Sequence, residues 1–432
     1  MRHLLVDVGP LRTHREFRLL WLAVAVTFFG SMVTYVAIPF QVYALTRSTW
    51  LVGLLGAVEF VAIMTMALVG GALADAIDRR LMVRVTEATL MVLVGLLALN
   101  ALLAHPSVAL VFVVAGLMMA VDSLQRPSLD ALLPRLVPRE DVTAAGALNA
   151  FRTQIGMIAG PALGGVLIAW VGLTGTYVID VITFAISLSL LARMRAVPPA
   201  ADASPPSLQG VAEGLRYARS RPELMGTYLV DINAMFFGMP NALFPQLASA
   251  YGGASVLGLM YAAPSVGSLV ATLTSGWSTR VRRQGQAILW AAGAWGLAIV
   301  LFALSPWLAL ALFFLGLAGA ADMISGLFRM TIWNTTIPDH LRGRLAGIEL
   351  IGYGSGPTLG NVEAGGVAAL TTPRFSAGLG GVLCIAGTLA LAVALPDFRR
   401  YAVEPAAASG EPERDPTGAD VSLAEHDPDA VP

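Results

Sequence analysis

Long apolar runs separated by short polar breaks fill the chain from residue 19 to residue 395. Twelve runs stand out, over residues 19–45, 50–74, 81–103, 107–126, 142–170, 173–192, 224–248, 254–276, 285–305, 307–330, 344–370 and 375–395. A helix rises ~1.5 Å per residue, so each run is long enough to cross a hydrocarbon core of roughly 30 Å. The apolar–polar alternation of barrel strands is absent. The pattern predicts an all-α polytopic membrane protein with twelve transmembrane helices.

The breaks set an orientation. A cytoplasmic N-terminus puts Arg79, Arg80, Arg84, Arg135, Arg139, Arg193 and Arg195 on the inner side. Arg216, Arg219, Arg221, Arg280, Arg282, Arg283, Arg342, Arg344, Arg399 and Arg400 follow them, and only Arg47 and Arg374 are left outside. Basic residues concentrate in cytoplasmic loops, so both termini are expected inside. The expected divisions are a cytoplasmic N-terminus 1–18, a six-helix bundle 19–192, a linker 193–223, a second bundle 224–396 and a tail 397–432. In the linker Leu208, Val211, Ala212 and Leu215 recur at helical spacing beside Arg216, Arg219 and Arg221. They predict a short helix at the membrane face, with a plain soluble linker helix as the alternative. The tail is rich in Pro, Ala and acids and is expected to be disordered.

Composition agrees with a membrane chain. It is 56% hydrophobic and 13% charged, where soluble domains carry about 25% charge. Net charge is −1, which gives nucleic-acid binding no support. The single cysteine, Cys384, excludes a disulfide framework and a thiol metal cluster. No G-x-x-x-x-G-K loop occurs, so direct ATP use is not expected. Neither a cofactor nor an enzymatic activity is called for. The first run lacks a small-residue cleavage context and reads as a span, not a signal peptide.

The first polar break is Gly71-Ala72-Leu73-Ala74-Asp75-Ala76-Ile77-Asp78-Arg79-Arg80. It resembles the loop between helices 2 and 3 of the major facilitator superfamily, with Asp78 where that family usually has Gly. The resemblance covers residues 15–396. It implies two six-helix halves repeated in the same order, and a latch role on the cytoplasmic side for Gly71, Asp75, Arg79 and Arg80, with Arg126 as a partner. The halves do echo each other. Gly53 and Gly71 recur 205 residues on as Gly258 and Gly276, and Asp122 and Pro138 recur 200 residues on as Asp322 and Pro338.

Span 5 carries Gly156-Met157-Ile158-Ala159-Gly160-Pro161-Ala162-Leu163-Gly164-Gly165. Gly156, Gly160 and Gly164 share a helical face and permit close contact, expected here between the halves. Pro161 removes one backbone hydrogen bond and can kink the helix. The stretch resembles the helix 5 signature of drug/proton antiporters in the same superfamily, which implies export. The chain start (Arg15, Phe17, Arg18, Leu20, Trp21) and residues 338–344 are similar to those of bacterial macrolide and siderophore exporters.

Ionisable groups inside a membrane are costly and invite a functional reading. The candidates are Glu59, Asp122, Arg152, Asp180, Asp231, Asp322, Glu349 and Glu363. Glu59 and Asp180 are the favoured proton carriers, with structural pairing to Arg152 as the alternative. Asp231 is a candidate for substrate or proton contact. Asp122 and Arg126, four apart, share a face. A central cavity is expected to be lined by Phe28, Tyr35, Gln41, Asn149, Gln154, Asn233, Phe236, Asn241 and Tyr353. The expected activity is secondary export of a small lipophilic compound by proton antiport and alternating access, by a monomer in the bacterial inner membrane. Import of a metabolite and a non-transporting interaction protein are the alternatives.

Overall fold

A computed structural model describes residues 7–76, 78–132, 135–195 and 216–402, with the side chains of 67–76, 127, 130, 131 and 339–353 excepted. The linker helix, the acidic tail and the side chains of Asp75, Glu349 and Tyr353 fall outside the described residues, as do the surroundings of Gly71. Twelve spans run in the expected order. Spans 1 to 4 are Arg15–Thr46, Thr49–Ala76, Arg79–Leu102 and Val108–Leu132. Spans 5 and 6 form one continuous stretch, Val142–Ala192, broken at Gly172, whose φ of 71° is open to glycine at little cost. Spans 8 to 12 are Ala254–Leu273, Gln284–Leu304, Leu308–Thr336, Asp339–Leu370 and Pro373–Ala394.

Span 7 differs from its expected form. It is helical over Pro222–Phe237, unwinds through Gly238 and Pro240, makes a 3-10 turn at Asn241–Leu243 and restarts as Phe244–Tyr251. Pro240 has no amide proton to continue the ladder, which explains the break. Backbone groups freed at membrane depth need partners inside the protein. They find them: the Ala242 amide donates to Asn361 Oδ1 at 3.1 Å, and the Asn241 carbonyl accepts from Tyr261 Oη at 3.2 Å.

Arg80, at the end of the 2–3 loop, is held within its own half. Arg80 donates to the carbonyls of Leu191 and Ala192 at the end of span 6, at 3.2 and 2.9 Å. Guanidinium groups suit such chain ends, where carbonyls lack helical partners. Asp78 caps span 3 by accepting from the Leu81 amide at 3.0 Å. The departure from the superfamily's usual Gly thus acquires a local purpose. Asp78→Ala is expected to lower stability by about 1 kcal/mol, read as a small fall in the unfolding midpoint of the purified protein.

Candidate functional site

The two halves meet along two seams at the face opposite the arginine-rich loops. In the first, spans 2 and 11 touch backbone to backbone. A Cβ at Gly53 would press on the Asn361 carbonyl, and one at Gly365 would lie 2.6 Å from the Thr49 carbonyl. In the second, Gly165 and Pro161 of span 5 lie against Gly258 of span 8, and a Cβ at Gly165 would be 2.8 Å from the Gly258 amide. Gln154 Nε2 adds a hydrogen bond to the Ser265 carbonyl at 2.8 Å. Between the seams, Asn241 of the broken span 7 donates to Tyr35 Oη at 3.3 Å. Tyr35 and Phe244 both stack edge-on against Tyr261, with ring centres 5.3 and 5.1 Å away.

One expectation about span 5 needs correction. Gly156, Gly160 and Gly164 face span 1 of their own half, where they receive Phe28, Met32 and Val33. The contact between halves uses the neighbouring face, Pro161 and Gly165. Both faces need small residues, because each brings a backbone into contact.

Toward the arginine-rich loops spans 5 and 8 separate. Thr143, Ala147 and Ala150 share the Pro161 face of span 5 and are exposed, as is Thr272 on the contact face of span 8. Span 4 tells the same story. Val113 and Leu117 are exposed on one side, and Asp122 lies two and a half turns from Val113, on the opposite side. On that opposite side Val111 and Ala115 are buried, whereas Asp122 and Arg126 are exposed. Span 10 repeats the arrangement with Phe313 and Leu317 outward, Ala311 and Leu315 buried, and Asp322 36% exposed. Asp122 and Asp322 are thus related by the internal repeat, and both face a groove between the halves. Glu59, half-buried, lies within electrostatic reach of Tyr261 at the sealed end of this groove. Glu363 lies farther along span 11, level with Gly53 in the first seam.

The C-terminal wall of the groove holds a cavity of about 270 Å³ between spans 7 and 10. Arg329 sits at its base, ion-paired with Asp231 and 3.5 Å from Asp322. Trp333 and Tyr228 stack at 5.5 Å to form an aromatic wall, and Trp333 Nε1 is steadied by Thr227 Oγ1 at 2.9 Å. Ile232, Met323, Leu327 and Met330 supply apolar surface. An apolar cleft with a few convergent charges is the usual form of a small-molecule site.

Other expected residues lie elsewhere. Asp180 is buried between spans 1 and 6, with its oxygens taken by the hydroxyls of Thr34 and Thr183, and Arg152 stacks over the Phe28 ring at 5.8 Å. Gln41 is buried in the first half and accepts from Tyr177 Oη at 2.7 Å. Asn233 turns into the second half and donates to the Cys384 carbonyl at 2.9 Å. Neither amide lines the groove: each bonds between helices of one bundle, where the buried Gln41 Nε2 is left without a hydrogen-bond partner. Two charged residues were missed in the sequence reading, Arg329 in span 10 and Glu87 in span 3. The same rule that marked the other intramembrane charges applies to both.

Residues 6–417 match the family described as transmembrane secretion effector. The chain is 31% identical to the enterobactin exporter EntS of Citrobacter koseri, over 94% of this chain and 98% of that one. It is also 31% identical to the enterobactin exporter EntS of Escherichia coli O157:H7, over 93% and 97%. Among solved structures the nucleoside transporter NupG superposes with a TM-score of 0.72 at 13% identity, covering 89% of this chain and 99% of that one. A bacterial homologue of the lysosomal transporter Spinster, in an inward-facing and unoccupied conformation, gives 0.67 at 15% identity, covering 91% and 97%. These two show a shared fold. The chain belongs to the transmembrane secretion effector family of major facilitator transporters.

Proposed function

We propose that this transporter exports a small organic compound of the siderophore class from the bacterial cytoplasm, by alternating access and in exchange for protons. The observation that carries the reading is the groove, sealed at one end by two small-residue seams and open at the arginine-rich end. Arginine-rich loops face the cytoplasm, so the groove receives its cargo from inside and both termini lie there. Rocking of the halves about the seams would close the inner end and open the outer one. The near full-length similarity to two enterobactin exporters supports a siderophore over other cargo. Asp122 and Asp322 place acids in the groove, which supports ion drive without ATP hydrolysis. One chain supplies both walls, which supports function as a monomer in the inner membrane.

Inverted inner-membrane vesicles test the exchange. Respiration acidifies their lumen, and an exporter then pumps cargo inward while protons leave. Adding enterobactin is expected to dissipate the pH gradient in vesicles that contain the protein and not in empty ones. An unchanged gradient with enterobactin and with other siderophores would overturn proton exchange.

A further inference from the structure

Among the described residues three charged side chains are fully buried: Glu87, Asp180 and Arg329. Two are matched. Arg329 meets Asp231 and Asp322, and each Asp180 oxygen receives a hydroxyl. Glu87 is not. Its Oε1 accepts from Gln125 Nε2 at 3.1 Å and from Thr27 Oγ1 at 3.3 Å. The Thr27 proton is shared with the carbonyls of Ala23 and Val24. Glu87 Oε2 has no partner. Ser187 Oγ of span 6 stands beside the carboxylate, buried and outside hydrogen-bond geometry.

A carboxylate offers about four acceptor sites, and half of these are empty here. A buried, uncompensated carboxylate costs several kcal/mol unless something neutralises it. Spans 1, 3, 4 and 6 surround the group, and among the described residues the ionisable side chain that acts on it electrostatically is Asp180, another acid. The Glu87 carboxylate has Ser187 Oγ and Thr27 Oγ1 beside it, oxygen donors of the kind that hard cations prefer. Turning the Gln125 amide would add another oxygen, since amide orientation follows the occupant. Glu87 lies roughly 12 Å into span 3 from Arg79, within reach of the arginine-rich face.

We propose that Glu87, with Thr27, Gln125 and Ser187, binds a small monovalent cation, H⁺ or Na⁺, and is the coupling-ion site of the transporter, separate from the groove. This rests on the ion-driven reading above. The site has a mechanical link to the groove. Next to Thr27, Phe28 packs on Gly156 of span 5 and lies under Arg152. Occupancy at Thr27 therefore bears on the helix that carries the seam residues Pro161 and Gly165.

The test uses the purified full-length protein in lipid nanodiscs. Radioactive sodium binding and the infrared stretch of protonated carboxyls are measured across pH for the wild type, Glu87→Gln, Ser187→Ala and Glu59→Gln. Saturable sodium binding, weakened at least ~10-fold (about 1.4 kcal/mol) by Glu87→Gln and by Ser187→Ala but not by Glu59→Gln, identifies Na⁺. A carboxyl band that titrates, vanishes in Glu87→Gln, shifts its midpoint in Ser187→Ala and persists in Glu59→Gln identifies H⁺. Absence of both signals would overturn the proposal. Ser187→Ala keeps the carboxylate and carries the test if Glu87→Gln does not fold. Equilibrium binding needs no flux, so cation binding without proton exchange in vesicles would sink the proton-exchange reading alone. Exchange that survives Glu87→Gln at the wild-type rate would sink this site alone.

Discussion

Arg329→Met is expected to lower stability by about 3–5 kcal/mol and to abolish export. The guanidinium is buried and touches two carboxylates, Asp231 and Asp322, at the base of the cavity. Removing one partner of a buried ion pair strands the other charge, and that stranded charge is the source of the loss. The effect should be unequal between the two acids. Asp231 is 13% exposed and held directly, whereas Asp322 is 36% exposed and stands at 3.5 Å. Asp322→Asn alone is therefore expected to cost ~1 kcal/mol or less, as for a solvent-screened pair. Adding Asp231→Asn to Arg329→Met should return much of the lost stability without returning transport. Thermal unfolding of the purified single and double variants measures this directly. Additive losses would show that the pair is not coupled.

The second large effect falls on the seam. Gly165→Leu puts a branched side chain against the Ala254 carbonyl and the Gly258 backbone, where there is no flexible side chain to give way. Overpacking of this kind costs about 1–3 kcal/mol. The cost applies while the halves are closed at this end and disappears once they part. It therefore shifts the equilibrium ~5- to 150-fold toward the outward-open state. Transport is expected to fall by a similar factor. Spin labels at the sealed ends of spans 5 and 8 should report a longer distance in Gly165→Leu than in the wild type. Gly146→Leu is the control: it lies on the same span with no atom within 4 Å of its Cβ position. Equal distances in all three proteins would remove the seam from the account.

Much of this was legible in the sequence. Runs of apolar residues located the twelve spans because a bilayer demands uninterrupted helices of fixed length. Gly172 fell between the expected spans 5 and 6, and the chain turns there. The internal repeat foretold that Asp122 and Asp322 occupy equivalent places. What escaped depended on neighbours in space. The break in span 7 was signalled by Gly238 and Pro240, but local pattern alone does not say whether a proline kinks or unwinds a helix. Gly156, Gly160 and Gly164 were correctly read as a contact face, and which helix fills that face is a matter of tertiary packing. Gln41 and Asn233 look like cavity amides by position, yet each makes its hydrogen bonds inside its own bundle. Glu87 and Arg329 were visible as charges in apolar runs. Their significance came from what surrounds them, two acids in one case and unfilled oxygens in the other.

The most direct test of the central claim is the distribution of enterobactin between cells and medium in a bacterial host lacking its own siderophore exporters. The comparison is among cells with the wild-type protein, with Gly165→Leu, and with the wild type after the proton gradient is collapsed. The account predicts that the wild type lowers the cellular content and raises that of the medium, that the variant cuts the difference at least ~5-fold, and that the collapse abolishes it. A wild type that raises the cellular content, or one whose effect survives both treatments, would contradict gradient-driven export through this groove.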